Sequence, residues 1–396
     1  MDEPRTRTQV IPRHIPALDG LRAFAILAVV FHHCGEYYLI QNSPQTSLLR
    51  SFVENLGSGV DLFFALSGFL ITGILLDSLD RPYSFQRFYW RRGLRIWPLY
   101  YTFLLAVYLV HRRMFSDIGV APFVLYYRNF LGPDRASDIY IGQFWSLCVE
   151  EQFYLLWPLV LYFTAKRLRM PLILFLMCTA YFCRAYLFWR GVDGYVIYRL
   201  PYCHMDVLLA GALVAVLIRQ GVRQSTLRRL CWSAIGVGAI GIFFVGAVGS
   251  QGYEMRLHTI GMTWFALLCG GMVGLSARGY GRGMTFILGS SFLGAISKRS
   301  YAMYVFHLVP LYLSYKLLAR MHRLPLHVFP ALFVMLMTGL VTYGMAWLSW
   351  RYFEEPMLRL KKWEWWAKTP TVFLPTQRQS QNPPRLPLPV RGRRRR

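Results

Sequence analysis

Charged residues are scarce in this chain: Asp, Glu, Lys and Arg make up 16% of its 396 residues, whereas soluble domains hold about 25%. This scarcity excludes an ordinary soluble domain. Hydrophobic residues reach 55%, the reverse of the polar composition of unfolded chains, so general disorder is excluded as well. Because a membrane-crossing helix needs about 20 apolar residues, the composition predicts an all-α, polytopic helical bundle in a membrane.

Acidic residues are fewer still, since 19 Asp and Glu stand against 44 Lys and Arg and leave a net charge of +25. In a soluble protein this excess would suggest nucleic acid as a partner. Here the basic residues form short clusters between apolar runs, with no basic stripe interleaved with aromatic residues outside these loops. Such clusters usually fix orientation in a bilayer. We therefore expect lipid as the partner of this surface, and no nucleic acid.

Several signatures of catalytic and metal sites are missing. The seven cysteines form no CxxC pair and have no metal-like spacing to histidine, so we interpret them as small core residues and expect no metal. The sequence also lacks a GxxxxGK[ST] loop, a GxSxG motif and an internal repeat. No cleavable signal peptide is evident, because the first apolar run carries Arg22, His32 and His33. That run is expected to stay as a helix.

Ten apolar runs are candidate membrane spans. They are 16–35, 59–79, 96–111, 145–165, 170–190, 203–219, 231–249, 257–276, 300–319 and 329–350. Residues 118–131 are too short to cross and contain Arg128, which favours an interfacial or re-entrant segment. Alternate connections are rich in arginine, which predicts about ten spans with both termini in the cytoplasm.

The organisation along the chain follows from these runs. Residues 1–15 are expected to be a cytoplasmic segment and residues 16–360 the transmembrane domain. Residues 361–396 are basic and rich in proline, which is typical of a disordered cytoplasmic tail. The four arginines that close this tail either hold anionic lipid or act only as a determinant of topology.

Two ionisable residues of the first run lie on one helical face. Arg22 and His33 are eleven residues apart, close to three turns, with an axial separation of about 16 Å. They are expected to share a cavity, while His32, about 100° away, points elsewhere. Ionisable residues cost about 2.5 to 3.5 kcal/mol inside a membrane and so mark function. One interpretation is that His33 is a general base and that an anionic cofactor reaches it from the cytoplasm, on the side of Arg22. The other is that His33 only packs between helices and Arg22 lies at the membrane interface.

Basic and acidic pairs occur in two further segments. Arg92 and Arg95, at i and i+3 of FYWRRGLRIWPLYY, suit phosphates at the cytoplasmic entrance of the third span, although a topology cluster would look the same. Glu150 and Glu151 are adjacent near the outer end of the fourth span. Because they differ by about 100° in direction, at most one of them faces an internal cavity.

One more histidine lies near mid-depth of a candidate span. His307 follows Lys298 by nine residues in the run 300–319, which places it well inside the membrane. For this residue alone, helix packing and function have equal weight.

Together these segments resemble acyltransferase family 3, integral membrane O-acyltransferases. The matching stretches are LDGLRAFAILAVVFHH at 18–33, GVDLFFALSGFLITGIL at 59–75, FYWRRGLRIWPLYY at 88–101, FWSLCVEEQFYLLWP at 144–158, MDVLLAGALVA at 205–215, SYAMYVFHLVP at 300–310 and FEEPMLRL at 353–360. The resemblance implies transfer of an acyl group, commonly acetyl, from cytoplasmic acyl-CoA to a hydroxyl. The implied acceptor is a carbohydrate, a glycan precursor or a small natural product. No metal is implied.

The resemblance also assigns roles. It selects His33 rather than His32, as the residue that deprotonates the acceptor or is itself acylated, with Glu150 and Glu151 as further catalytic candidates. The candidates for the phosphates of coenzyme A are Arg22, Arg92 and Arg95. The candidates for binding the acceptor or orienting the imidazole are Asp61, Trp145, Tyr154, Asp206 and His307.

Two positions depart from the family pattern. Cys148 replaces a frequent serine, which is nearly isosteric, and His204 replaces a frequent arginine before Met205 and Asp206. The second change is expected to weaken an ion pair with Asp206 or to alter acceptor specificity. The esterase-like domain of some relatives is not evident, so the stand-alone membrane form is expected.

Intramembrane arginine, histidine and glutamate also mark transport paths. The alternative function is therefore a carrier or flippase for a glycan or lipid intermediate. The sequence shows no pair of broken helices in related halves, which argues against it. The expected location is the cytoplasmic membrane of a bacterium.

Overall fold

A computed structural model describes residues 14–40, 47–132, 138–247, 256–279, 282–322, 324 and 326–363. Helices of the α, 3₁₀ and π types account for all the regular structure of these residues, and no strand is found among them. This confirms the predicted all-α class. The predictions for the N-terminal residues before 14 and for the tail from 364 onward lie outside the described residues.

Seventeen α-helices are numbered here in chain order. They are α1 Pro16–Gly35, α2 Ser47–Leu56, α3 Gly59–Leu76, α4 Ser84–Val110, α5 Ala121–Val124, α6 Asp138–Ile141, α7 Phe144–Phe163, α8 Arg169–Trp189, α9 Gly194–Arg199, α10 Pro201–Arg219, α11 Gln224–Ala247, α12 Met262–Arg278, α13 Arg282–Leu288, α14 Ser291–Phe306, α15 Leu308–Arg320, α16 Val328–Ser349 and α17 Glu355–Arg359. A π-helical turn, Glu36–Ile40, extends α1, and another, Trp350–Glu354, extends α16.

Within the described residues, eight helical segments are long and apolar enough to cross a membrane, or nine if the bent pair α14 and α15 counts as one span. These nine match nine of the ten predicted runs. The tenth run, 145–165, corresponds to α7, a helix of 20 residues. Glu150, Glu151 and Gln152 interrupt its apolar sequence, which explains why composition alone does not identify it as a span.

We expect α7 to cross the membrane, because the arginine-rich connection after it belongs to the cytoplasmic set. A topology reporter fused after Ser116 should therefore lie outside the cell, and one fused after Arg169 should lie in the cytoplasm. Alkaline phosphatase and green fluorescent protein fusions, active on opposite sides, measure this directly. Finding both positions on one side would show that α7 does not cross.

The segment 118–131 forms the short helix α5 and a 3₁₀ turn, Arg128–Phe130, which confirms that it does not build a spanning helix. The Arg128 side chain is buried, with 1% of its surface exposed. It donates hydrogen bonds to the carbonyl oxygens of Leu131 and Gly132 at 3.1 and 2.9 Å. The guanidinium thus satisfies backbone acceptors inside the protein rather than facing lipid.

Close packing of α3 against α10 sets the position of the polar residues in the bundle centre. A Cβ atom on Gly68 would lie 1.8 Å from the carbonyl oxygen of Leu208, and one on Gly211 would lie 1.8 Å from that of Ala65. Only glycine permits this approach, and small residues are the usual means of helix packing in membranes. The contact brings Asp61 of α3 next to α10.

Candidate active site

Two adjoining cavities lie between the helices. The smaller, of about 90 Å³, is called here the arginine cavity; its polar lining consists of Arg22, Ser67, Arg92, Arg95, Ser146, Glu150, Tyr154, Ser300, Tyr301 and Tyr304. The larger, of about 330 Å³, is called the histidine cavity; its lining includes His32, His33, Glu36, Tyr37, Glu54, Asp61, Gln143, Trp145, Tyr195, Tyr198, Arg199, Phe265 and Tyr304. Val60 and Tyr304 line both.

The arginine cavity collects the three arginines that the sequence assigned to the donor. Arg22 comes from α1, and Arg92 and Arg95 come from one face of α4. The guanidinium of Arg92 lies over the ring of Tyr154, 5.4 Å from its centroid. Of the side chains that line this cavity, three are guanidinium groups and one, Glu150, is a carboxylate. This excess of positive charge suits an anionic group such as a phosphate.

The two adjacent glutamates separate as their spacing predicts. Glu150 lines the arginine cavity and accepts a hydrogen bond from Ser67 Oγ at 2.5 Å. Glu151 lines neither cavity and accepts one from Trp97 Nε1 at 3.1 Å. The structure therefore places Glu150 among the arginines and does not bring either carboxylate to His33.

His33 lies in the histidine cavity. Its Nδ1 is 2.9 Å from the carbonyl oxygen of Val29, one turn earlier in α1. A carbonyl oxygen can only accept, so Nδ1 carries the hydrogen and Nε2 keeps its lone pair. The histidine is thus held in the tautomer that a general base or nucleophile requires. Arg22 and His33 line adjoining cavities rather than the single one expected.

A second histidine supports the first. His307 Nε2 lies 3.3 Å from His33 Nδ1, and His307 Nδ1 lies 2.8 Å from the carbonyl oxygen of Tyr304. Because that carbonyl fixes the hydrogen of His307 on Nδ1, its Nε2 can accept. The single Nδ1 hydrogen of His33 is then shared between the Val29 carbonyl oxygen and His307 Nε2. The chain of bonds runs from His33 through His307 to the backbone, and it stabilises positive charge on His33.

The position of His307 follows from the local sequence HLVP. The helices α14 and α15 meet at this residue with a bend of 56°. Pro310 lacks an N–H, and its ring crowds the carbonyl four residues earlier, that of Phe306, which favours a kink or break at this place. The bend places His307, 1% exposed, against α1.

The expectation that His32 points away from the cavity is wrong. His32 also lines the histidine cavity, with its ring centroid 5.0 Å from that of His33. The cavity surrounds the end of α1 widely enough to include two adjacent residues. The ring nitrogens of His32 have other partners than those of His33. Its Nδ1 lies 2.9 Å from the carbonyl oxygen of Val53, and its Nε2 lies 3.7 Å from a Glu36 carboxylate oxygen.

Asp61 lines this cavity and is paired with the buried His204 behind it. Asp61 Oδ1 lies 2.6 Å from His204 Nε2, and His204 Nδ1 lies 2.8 Å from the carbonyl oxygen of Tyr198. Trp145 packs on the ring of Tyr198 with centroids 5.0 Å apart. Burial, together with the charge of Asp61, raises the pKa of Tyr198 well above its ordinary value. Its hydroxyl therefore keeps its proton and is hydrogen-bonded to the Asp61 carboxylate.

Asp206 lines neither cavity. Its carboxylate forms a two-pronged ion pair with Arg184, with distances of 2.6 and 3.0 Å, and both side chains are buried. His204 bonds to Asp61 and not to Asp206, so the ion pair that a histidine at this position was expected to weaken is formed by Arg184 instead. Arg184 was not among the predicted residues, although an arginine in the run 170–190 is the kind of signal that marks such a pair.

Two further residues were missed. Tyr304 stands one turn before His307 within the quoted stretch SYAMYVFHLVP, so its presence on the same face was readable. Ser67, one turn after Phe63 in GVDLFFALSGFL, gave no signal of its own. No group of three or more His, Cys, Asp or Glu side chains suited to a metal is found in the part of the chain that the structure describes.

Comparisons with known proteins agree with this arrangement. The family model described as an acyltransferase domain, acyltransferase family 3, matches residues 15–350. The chain is 31% identical over 188 residues to the peptidoglycan O-acetyltransferase OatA of Listeria monocytogenes, an alignment that covers 42% of this chain and 27% of the relative. It is also 31% identical over 184 residues to the O-acetyltransferase OatA of Staphylococcus aureus, covering 42% of this chain and 28% of that protein.

The chain thus spans less than a third of the length of these curated relatives. No solved structure matches it significantly. The family model nevertheless covers the helical bundle from the start of α1 to the end of α16, including every residue of the two cavities. The chain is an integral membrane protein that belongs to acyltransferase family 3.

Proposed function

We propose that the protein is a membrane O-acyltransferase that moves an acetyl group from cytoplasmic acetyl-CoA to a hydroxyl of a glycan or glycan precursor. The observation that carries this proposal is the juxtaposition of the two cavities. One is lined by three guanidinium groups, the other holds a histidine with an available lone pair, and they share the side chains of Val60 and Tyr304.

The arginine cavity is the donor end. The phosphates of coenzyme A carry several negative charges, and guanidinium groups bind such oxygens through paired hydrogen bonds. Positive-inside topology places Arg92 and Arg95 at the cytoplasmic entrance of α4. The thioester end of the donor then extends from Arg22 along α1 toward His33.

The histidine cavity is the acceptor end. In the simplest reaction, His33 Nε2 removes the proton of the acceptor hydroxyl, whose oxygen attacks the thioester carbonyl. A C–O bond forms, the C–S bond breaks, and the coenzyme leaves as a thiolate that takes up the proton from His33. If His33 is acylated first, Nε2 attacks the thioester carbonyl, the N–C bond forms and the C–S bond breaks to release the coenzyme thiolate. The acceptor oxygen then attacks the acyl carbon, the N–C bond breaks, and the hydroxyl proton passes to the thiolate. In both routes His307 Nε2 accepts from Nδ1–H and stabilises the charged ring.

A carbohydrate is the acceptor that this cavity suits best. Trp145 and Tyr198 supply flat apolar faces on which a sugar ring can pack, and Asp61 offers a carboxylate for hydroxyl groups. Both relatives named above are O-acetyltransferases, one of them named for peptidoglycan. We therefore propose a cell-envelope glycan and the bacterial cytoplasmic membrane as the acceptor and the location.

Release of free coenzyme A tests the proposal. Purified protein in detergent should release thiol from acetyl-CoA in proportion to added acceptor, measured with a thiol reagent over a panel of glycan fragments. The His33→Ala variant serves as the control for background hydrolysis of acetyl-CoA. A carrier or flippase would release no coenzyme A with any acceptor, and that result would overturn the proposal.

Replacing Arg92 or Arg95 with alanine should raise the apparent KM for acetyl-CoA by about ten- to a hundredfold. Each charge-assisted hydrogen bond to phosphate is worth about 1.5 to 3 kcal/mol, and a contact kept from ground state to transition state acts mainly on KM. Steady-state kinetics in acetyl-CoA measures this. Arg91, an exposed arginine of the same helix outside both cavities, provides the matched control. Normal donor affinity in both the Arg92 and the Arg95 variant would show that these arginines only orient the chain.

A further inference from the structure

Two residues line both cavities and therefore lie between them; this boundary is called here the neck. Val60 of α3 and Tyr304 of α14 are the residues that line both cavities. Both are buried, with 8% and 6% of their surface exposed. The three arginines stand on one side of the neck and His33 on the other.

Tyr304 is held firmly in this position. Its hydroxyl lies 2.5 Å from Ser146 Oγ and donates to the carbonyl oxygen of Gln143 at 3.0 Å. Its ring packs against those of Phe63 and His307, with centroids 6.2 and 5.6 Å apart. Contacts to α3, α7 and the break after α14 therefore fix the ring, so Tyr304 is a rigid wall of the neck.

Val60 is the second residue of the neck. It is β-branched, so its side chain has little rotational freedom in a helix. The close glycine contacts between α3 and α10 prevent the backbone of α3 from moving away. The two side chains at the neck thus have few alternative conformations.

We propose that Val60 and Tyr304 determine the length of the acyl chain that the protein transfers. The inference rests on the proposed function, in which a donor held at the arginines must bring its acyl carbon past the neck to His33. A two-carbon acetyl group adds the least bulk beyond the thioester carbonyl. Each further methylene must displace the walls, and apolar pockets discriminate by about ten- to two-hundredfold for one methylene.

The experiment compares kcat/KM for acetyl-CoA, propionyl-CoA and butyryl-CoA. The wild-type protein should prefer acetyl-CoA. Val60→Ala removes two methyl groups from the neck and should raise the butyryl-to-acetyl ratio at least about tenfold. Val214→Ala, a buried valine that lines neither cavity, makes the same substitution elsewhere and should leave the ratio unchanged.

A second variant keeps the test decisive if Val60→Ala folds poorly. Val60→Leu narrows the neck and should lower the propionyl-to-acetyl ratio below that of the wild type. A merely structural role would reduce transfer from all three donors in proportion, so an unchanged ratio in both variants overturns the inference. Equal use of acetyl-CoA and butyryl-CoA by the wild type overturns it too. Absence of transfer from every donor instead contradicts the proposed function.

Discussion

Replacing His33 with alanine is expected to lower acyl transfer by about 10² to 10⁴-fold, the usual cost of removing a general base, and by more if His33 is itself acylated. The protein should still insert and fold, because the side chain is only partly buried and bonds to Val29 of its own helix. Coenzyme A release measures transfer, and immunoblotting of membranes measures abundance.

His32 provides an internal control for this result. It lines the same cavity, but its Nδ1 contacts the Val53 carbonyl and its Nε2 faces Glu36. His307 Nε2 lies 3.3 Å from Nδ1 of His33, so the hydrogen bond that His307 accepts comes from that neighbouring histidine. His32→Ala should therefore retain substantial activity. Equal losses in the two variants, or a loss only in His32→Ala, would refute the catalytic assignment of His33.

The sequence predicted the fold well because a helix that crosses a membrane must be largely apolar, and apolar runs can be found directly in the sequence. Nine of the ten predicted runs meet the length and composition of a spanning helix. The exception, α7, has Glu150 and Glu151 within an otherwise apolar sequence. These polar residues face protein rather than lipid, and a hydropathy average cannot distinguish the two surroundings.

Helical spacing predicted directions but not the extent of cavities. The three-turn register correctly put Arg22 and His33 on the side of α1 that faces the cavities. It could not show that the neck divides them, because Val60 and Tyr304 come from other helices. The register also excluded His32 wrongly, because a 100° difference in direction separates two residues only when the cavity is narrow.

Partners across helices were the hardest to predict. The sequence analysis named Asp206 as the only partner affected by the histidine at position 204. In the structure, the two residues differ by about 200° in direction around α10, so His204 bonds to Asp61 of α3 and Asp206 bonds to Arg184 of α8. Such pairings depend on which helices are adjacent, and hydropathy carries no information on helix adjacency.

The Arg184–Asp206 pair gives the largest expected effect on stability. Both side chains are fully buried, at 0% and 2% exposure, and Nη2 of Arg184 lies 2.6 Å from Oδ2 of Asp206. Arg184 also donates to the carbonyl oxygens of Thr259 and Cys203 and to Thr263 Oγ1. One guanidinium thus joins α8 to α10 and to the start of α12.

Arg184→Ala is expected to destabilise the protein by about 3 to 5 kcal/mol, because it leaves the Asp206 carboxylate buried without its counter-ion. The matched control is Arg219→Ala. Arg219 pairs with Asp77 in a similar two-pronged geometry, at 2.7 and 2.6 Å, but Asp77 is 59% exposed. Pairs open to solvent contribute about 0 to 1 kcal/mol, so this variant should behave nearly like the wild type.

The measurement is the fraction of protein that stays monodisperse in detergent after heating, followed by size-exclusion chromatography. Arg184→Ala should lose this fraction at a clearly lower temperature than Arg219→Ala. The double variant Arg184→Met with Asp206→Leu should recover much of the loss, since replacing both ions of a buried pair by apolar groups is often neutral or stabilising. If Arg184→Ala is as stable as Arg219→Ala, the buried pair does not stabilise the packing of these helices, and the prediction is wrong.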